Sequence, residues 1–254
     1  MNPDLLVFGA GLLAGTMNAL AGGGSFVSLP ALISVGVPSV QANASSTVGL
    51  FPGTAASAWA YRDGLGPVGA VKLRPLLLTT VAGGGIGALL LLWTPSKTFD
   101  FVLPWLLMIA TLTLGFGRRI GESLRRRWHI RPPAVLVVQL ALGIYGGYFG
   151  GAVGIMMMAV WGLLGTQDLK SLNAPRTLLL TAANAMAVVI FIAARAVQWR
   201  ETLAVLIGAT IGGYCGALVG RRAAPQVIRA GTLFVAGCIT LLFFARAYLK
   251  EVPW

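Results

Sequence analysis

The chain has 254 residues, of which 57% are hydrophobic and only 10% charged, and its mean hydropathy is +0.82. A soluble domain carries roughly 25% charged residues, so that class is excluded. The net charge of +12 would suggest nucleic acid in a soluble protein, but six arginines gather between Arg118 and Arg131, as in a cytoplasmic loop that obeys the positive-inside rule and lies against anionic headgroups; no nucleic-acid partner is expected.

Hydrophobic segments follow one another at roughly 5–35, 41–61, 69–93, 99–118, 134–164, 172–195, 200–220 and 227–248. The runs Leu76–Trp93, Phe101–Phe116, Ala134–Leu164, Leu178–Ala194 and Leu203–Val219 hold no charge at all. A helix needs about 20 apolar residues to span the hydrocarbon, and its backbone polar groups are then satisfied internally. The expected fold is therefore all-α, a polytopic helical membrane protein. The opening Met1-Asn2-Pro3-Asp4 lacks the basic residues of a signal peptide, so the first segment is expected to remain in the mature protein.

The second half repeats the first. One half opens with Gly11-Leu12-Leu13-Ala14-Gly15 and runs to Gly22-Gly23-Gly24; the other opens with Gly143-Ile144-Tyr145-Gly146-Gly147 and runs to Gly150, Gly151 and Gly154. A second helix then starts at Asn43-Ala44-Ser45-Ser46-Thr47 or Asn173-Ala174-Pro175-Arg176-Thr177, and Gly87-Ala88-Leu89 matches Gly216-Ala217-Leu218. This gives one transmembrane domain, with repeats at about 5–118 and 134–250 and a basic linker at about 119–133. Unbroken, the first and fifth segments would be about 45 Å long, well beyond the ~30 Å hydrocarbon layer. Their glycine clusters, with Pro30 in the first, predict two half-helices instead. Such breaks persist only when buried in protein or lining a wet cavity. If the broken segments cross, the repeats are parallel; if they turn back, the repeats are inverted. The distribution of Lys and Arg fits both, and the recurrence of broken midplane elements in inverted-repeat carriers favours the second.

Paired interrupted segments point to a transporter's binding site. Asn43 and Asn173 are placed to cap helix starts, where free N–H groups and the helix dipole attract anions; Ser46, Thr47 and Thr177 sit beside them. Plain capping and close packing of small residues is the alternative. Arg176 stands in a first turn, where the dipole disfavours a cation. It either snorkels to headgroups or shares a bound anion; its repeat counterpart is Ser46. Gly22, Gly23, Gly24, Ser25, Gly150, Gly151 and Gly154 would let backbone approach a solute, and Asn18 and Asn184 are polar residues deep in apolar stretches that need partners.

All seven acidic residues lie at or near segment ends, which removes the usual ligands of cation and proton sites and favours an anionic or polar solute. Cys215, Cys238 and His129 have no metal-ligand spacing, and no cofactor, metal or catalytic set is expected. A homo-oligomer is left open.

With these residues in hand, the chain resembles the sulfite exporter TauE/SafE family over essentially its full length. The resemblance rests on Ala14-Gly15, Asn18-Ala19, Ala21-Gly22-Gly23-Gly24-Ser25, Pro30-Ala31-Leu32, Ala42-Asn43-Ala44, Thr47, Asn173-Ala174-Pro175-Arg176-Thr177-Leu178-Leu179 and Gly212-Gly213-Tyr214 with Gly216-Ala217. It implies a bacterial inner-membrane permease that exports sulfite, organosulfonates or related sulfur oxyanions. The stretch after Gly154 is more apolar than Gly24-Ser25, which implies unequal contributions from the halves. A non-transporting membrane scaffold and a permease for another small anion or metabolite are the alternative readings.

Overall fold

The computed structural model describes residues 2–125, 132–162, 164, 171–220 and 225–248. Among them it forms α1 (Pro3–Ala21), α2 (Ser25–Ser34), α3 (Ser39–Ala60), α4 (Leu73–Trp93), α5 (Ser96–Arg125), α6 (Pro132–Tyr148), α7 (Val153–Gly162), α8 (Asn173–Ala193), α9 (Trp199–Gly220) and α10 (Pro225–Tyr248), with a 3-10 turn at Arg62–Gly64. Helices α1, α4, α5, α8, α9 and α10 are long and apolar enough to cross a membrane. The expected all-α polytopic class is thus observed, and the segments at 5–35 and 134–164 each divide into two helices. The basic stretch is helical as far as Arg125; its remainder, 126–131 with His129, and the side chains meant to meet headgroups lie outside the described residues.

The described residues form two compact units, one from Met1–Gly53, Leu92–Thr111 and Phe191–Trp254, the other from Thr54–Leu91 and Leu112–Ile190. The division does not follow the repeat boundary. The first unit sets α1 of repeat one against α9 of repeat two and α2 against α10, and the second sets α6 and α7 of repeat two against α4 of repeat one.

Glycine makes both contacts. In the first unit a Cβ on Gly11 would lie 2.7 Å from the Val205 carbonyl oxygen, and on Gly15, Gly208 or Gly212 it would collide with the backbone of Ala209, Phe8 or Leu12. In the second, a Cβ on Gly83 would lie 2.6 Å from the Leu140 oxygen, and on Gly87 or Gly147 it would collide with Ile144 or Gly84. Helices in lipid gain no hydrophobic drive from one another, so such close approach is what holds them together. Successive contacts ascend together along both chains, so α1 runs parallel to α9 and α6 parallel to α4.

These contacts also set the repeat register. Gly212 meets Leu12 as Gly83 meets Leu140, and Gly216 meets Thr16 as Gly87 meets Ile144. Gly15, rather than Gly11, is therefore the packing counterpart of Gly143. Glycines spaced four apart hide a slip of one helical turn from a sequence match.

Both breaks reverse the chain. Gly24 packs on the Ala14 carbonyl oxygen, 2.6 Å from a built Cβ, and Gly146 packs on the Val153 side chain at 3.5 Å. Helices α2 and α7, ten residues each, are about 15 Å long, half the hydrocarbon thickness. Buried polar side chains fasten α7 in the second unit. Trp161 Nε1 donates to Gln139 Oε1 at 3.2 Å, Gln139 Nε2 to Thr80 Oγ1 at 2.8 Å, and Thr80 Oγ1 to the Leu76 carbonyl at 2.6 Å.

Gly212→Ala should destabilise the protein by about 1–3 kcal/mol, because the added methyl overpacks a backbone contact. Gly231→Ala, where nothing lies within 4 Å, should leave stability unchanged or slightly raised. Thermal unfolding of both variants in one detergent checks the contrast.

Candidate functional site

In the first unit α1 ends with Gly22 at φ +77°, whose N–H bonds back to the carbonyls of Met17 and Asn18. This left-handed cap is open to glycine at no steric cost. The Gly24 carbonyl accepts from the N–H groups of Val27 and Ser28 and from Ser28 Oγ, and Ser25 begins α2 half-buried. Ser28 Oγ lies 2.6 Å from Ser46 Oγ, both fully buried. A chain of donors from Ser46 to Ser28 to the Gly24 carbonyl satisfies both hydroxyls, so this pair is closed on itself. Asn18 Cβ lies 3.1 Å from a Cβ built on Gly24, and Asn18 Nδ2 lies 4.0 Å from one built on Gly53. The first unit therefore gathers Asn18, Gly24 and Ser46 around the start of α2.

Asn43 does not stand at a helix start. Helix α3 begins at Ser39, one turn earlier than the sequence suggests, because Pro38 supplies the carbonyl that accepts from the Ala42 N–H at 2.8 Å. Asn43, Ser46 and Thr47 thus sit a turn inside the helix, where backbone N–H groups are already engaged. Ser45 Oγ instead accepts from the Gln198 N–H at 2.9 Å and so serves the start of α9. Asn173 does begin α8. Thr47 Oγ1 donates to the Asn43 carbonyl and Thr177 Oγ1 to the Asn173 carbonyl, at 2.9 and 3.0 Å. The same bond at equivalent places supports the repeat, and it leaves neither hydroxyl proton for a solute.

The second unit differs at the equivalent break. Gly150 has φ +81° and Ala152 φ +58°, so two left-handed residues flank Gly151. Ile155 and Met156 N–H groups close on the Ala152 carbonyl. Among the described residues, no acceptor meets the N–H groups of Gly151, Ala152, Val153 or Gly154. A Cβ on Gly151 would run into the Phe149 ring. Beside this start lies Arg176: a Cβ on Gly154 would be 3.4 Å from Arg176 Cδ and 3.8 Å from Leu180 Cδ2. The arm of Arg176 is packed, and no hydrogen bond or ion pair reaches its guanidinium among the described residues.

Arg176, Leu180 and Asn184 recur at the spacing that stacks side chains on one helix face. Among the described residues Asn184 Oδ1 is buried without a hydrogen-bond partner, although an unmet buried acceptor costs roughly 1–3 kcal/mol. The structure thus brings Gly150, Gly151, Gly154 and Arg176 together, and sets Asn173, Thr177 and Asn184 along the same helix. What sequence reasoning missed is Ala152, since nothing in an alanine announces a left-handed φ.

The sequence profile described as "Sulfite exporter TauE/SafE" matches residues 7–243. The chain is 30% identical over 244 residues to a "Probable membrane transporter protein ORF9" of Sinorhizobium sp, covering 94% of this chain and 91% of that one. It is 25% identical to the "Probable membrane transporter protein YfcA" of Escherichia coli K12, covering 99% and 94%. A "Probable membrane transporter protein" of Haemophilus influenzae is 27% identical, covering 93% of each. No solved structure matches the chain.

Ala152→Gly should raise stability by about 1 kcal/mol, since alanine in a left-handed conformation is strained by roughly that amount. Gly150→Val, forcing a branched side chain into the same region, should lower it by more. Chemical or thermal unfolding curves of the two variants give the measurement.

Proposed function

The chain belongs to the sulfite exporter TauE/SafE family, and from that premise we propose that it carries small sulfur-containing anions, such as sulfite or organosulfonates, outward across the bacterial inner membrane. That it is a multi-pass bacterial membrane transporter follows from the family and from relatives named as such. The anion docks at the start of α7, on the N–H groups of Gly151–Gly154, with the Arg176 guanidinium as its counter-charge. The observation that carries this reading is the meeting, in one apolar unit, of unpaired backbone donors with an unpaired arginine. Either feature alone is a buried cost; together they lack only a negative solute.

The reversal of both broken pairs supports inverted repeats. Helix α6 runs parallel to α4, which starts just after Lys72 and contains Arg74. By the positive-inside rule that end is cytoplasmic, which suits a site loaded from the cytoplasm for export. Asn184, further along α8, offers an acceptor to a donor group of the solute, such as the proton of bisulfite. Charge on the solute makes membrane voltage a sufficient driving force for outward movement.

Sulfite flux from proteoliposomes tests the reading. Arg176→Gln should weaken anion affinity by about 10-fold to 100-fold, the range for a lost charged hydrogen bond in a dry site, while thermal stability stays near wild type. Equal flux and equal affinity in the variant would remove Arg176 from the mechanism. Absence of thermal stabilisation by sulfite, thiosulfate or sulfoacetate alike would favour the scaffold reading.

A further inference from the structure

A charged cavity lies within the first unit, where the start of α5 meets the end of α10. Its volume is about 290 Å³, and Lys97, Asp100, Phe101, Phe243 and Arg246 line it. Such a volume is at the small end of the roughly 300–1,000 Å³ of ligand pockets, enough for a polar headgroup and not for acyl chains. We propose that this cavity holds the headgroup of a zwitterionic phospholipid, with its phosphate on Lys97 and Arg246 and its ammonium on the Asp100 carboxylate.

Three observations converge on that occupant. The charges are unpaired: among the described residues no ion pair joins Lys97, Asp100 or Arg246 to one another or to another group. Arg246 lies over the Phe243 ring, 5.9 Å from its centroid, which orients the guanidinium without neutralising it. Lys97 sits in the first turn of α5, at the positive end of the helix dipole, where a cation is disfavoured unless an anion accompanies it.

The cavity is also at the depth of an interface. Trp105 Nε1 donates to the Tyr248 hydroxyl at 2.7 Å, and Tyr248 stacks near Phe101 and Phe244 with ring centroids 5.0 and 5.9 Å away. Trp105 is 46% and Tyr248 42% exposed. Amphipathic rings of this kind, half in protein and half out, settle at headgroup level.

Finally, the cations are on the unexpected side. Helix α5 ends in the arginine-rich stretch, whose end is cytoplasmic by the positive-inside rule, so its start faces the other leaflet. Lys97 and Arg246 there run against the rule. A purely anionic headgroup would leave Asp100 facing a negative charge in the same cavity. A headgroup carrying both signs matches two cations and one carboxylate.

The test is native mass spectrometry of the full detergent-purified chain offered phosphatidylethanolamine and phosphatidylglycerol at equal concentration. Wild type should retain phosphatidylethanolamine preferentially. Lys97→Ala and Arg246→Ala should each reduce retention about fivefold, the effect of one cation near a lipid surface. Asp100→Asn should retain phospholipid but lose the preference. Lys97→Gln, which keeps the side-chain stem, and a thermal melt of each variant guard against misfolding. Retention unchanged in the cation variants, or a wild-type preference for phosphatidylglycerol, would overturn the proposal. Displacement of the lipid by free phosphoethanolamine at equal concentration would also overturn it, assigning the cavity to a soluble phosphate compound.

Discussion

Backbone lying directly on backbone is the contact on which this molecule depends. Between α1 and α9, and again between α4 and α6, glycines every fourth residue remove the side chains that would hold two helices apart. In water the burial of apolar side chains would supply the cohesion. In lipid it does not, since acyl chains solvate leucine as well as another helix does. Close approach therefore carries the association, and even one added methyl is felt. The consequence reaches beyond stability. Each contact joins the first helix of a broken pair to a helix of the other repeat, and the short α7, ten residues long, is fastened in turn to α6 through Trp161 and Gln139.

Clamping makes the breaks affordable in physical terms. A chain that stops being helical inside hydrocarbon exposes N–H and C=O groups that water cannot reach. At Gly22 the cap bonds back onto Met17 and Asn18, and the Gly24 carbonyl accepts from the Val27 and Ser28 N–H groups and the Ser28 hydroxyl. Among the described residues no acceptor meets the N–H groups of Gly23, Gly24 and Ser25 there, or those of Gly151, Ala152, Val153 and Gly154 at the second break. The two breaks differ in length. Gly22 matches Gly150, while Gly24 against Leu50 matches Gly154 against Leu180, so the second break is two residues longer.

The same pair of positions carries the chemical asymmetry. Ser46 and its partner Ser28 in the first unit correspond to Arg176 and Met158 in the second. One break thus has a buried hydroxyl pair beside it, and the other has the arm of an arginine.

Much of this was legible in the chain itself. Long uncharged runs can only be spans, because nothing else hides so much apolar surface, and the clusters at Gly22–Gly24 and Gly150–Gly151 can only interrupt them, because segments of that length exceed the bilayer. Arg176 was conspicuous because a cation in a first helical turn opposes the helix dipole. Three things were decided only by tertiary structure. The start of α3 moved a turn upstream of Asn43, since Pro38 rather than the asparagine provides the first accepting carbonyl. The repeat register slipped by a turn from Gly11 to Gly15, since a four-residue glycine period looks alike at every step. The left-handed backbone at Ala152 beside Gly150 is set by the fold, because which torsions a residue adopts depends on what packs across from it. Periodicity and composition determine where helices lie; only the folded chain determines which polar groups are left without a partner.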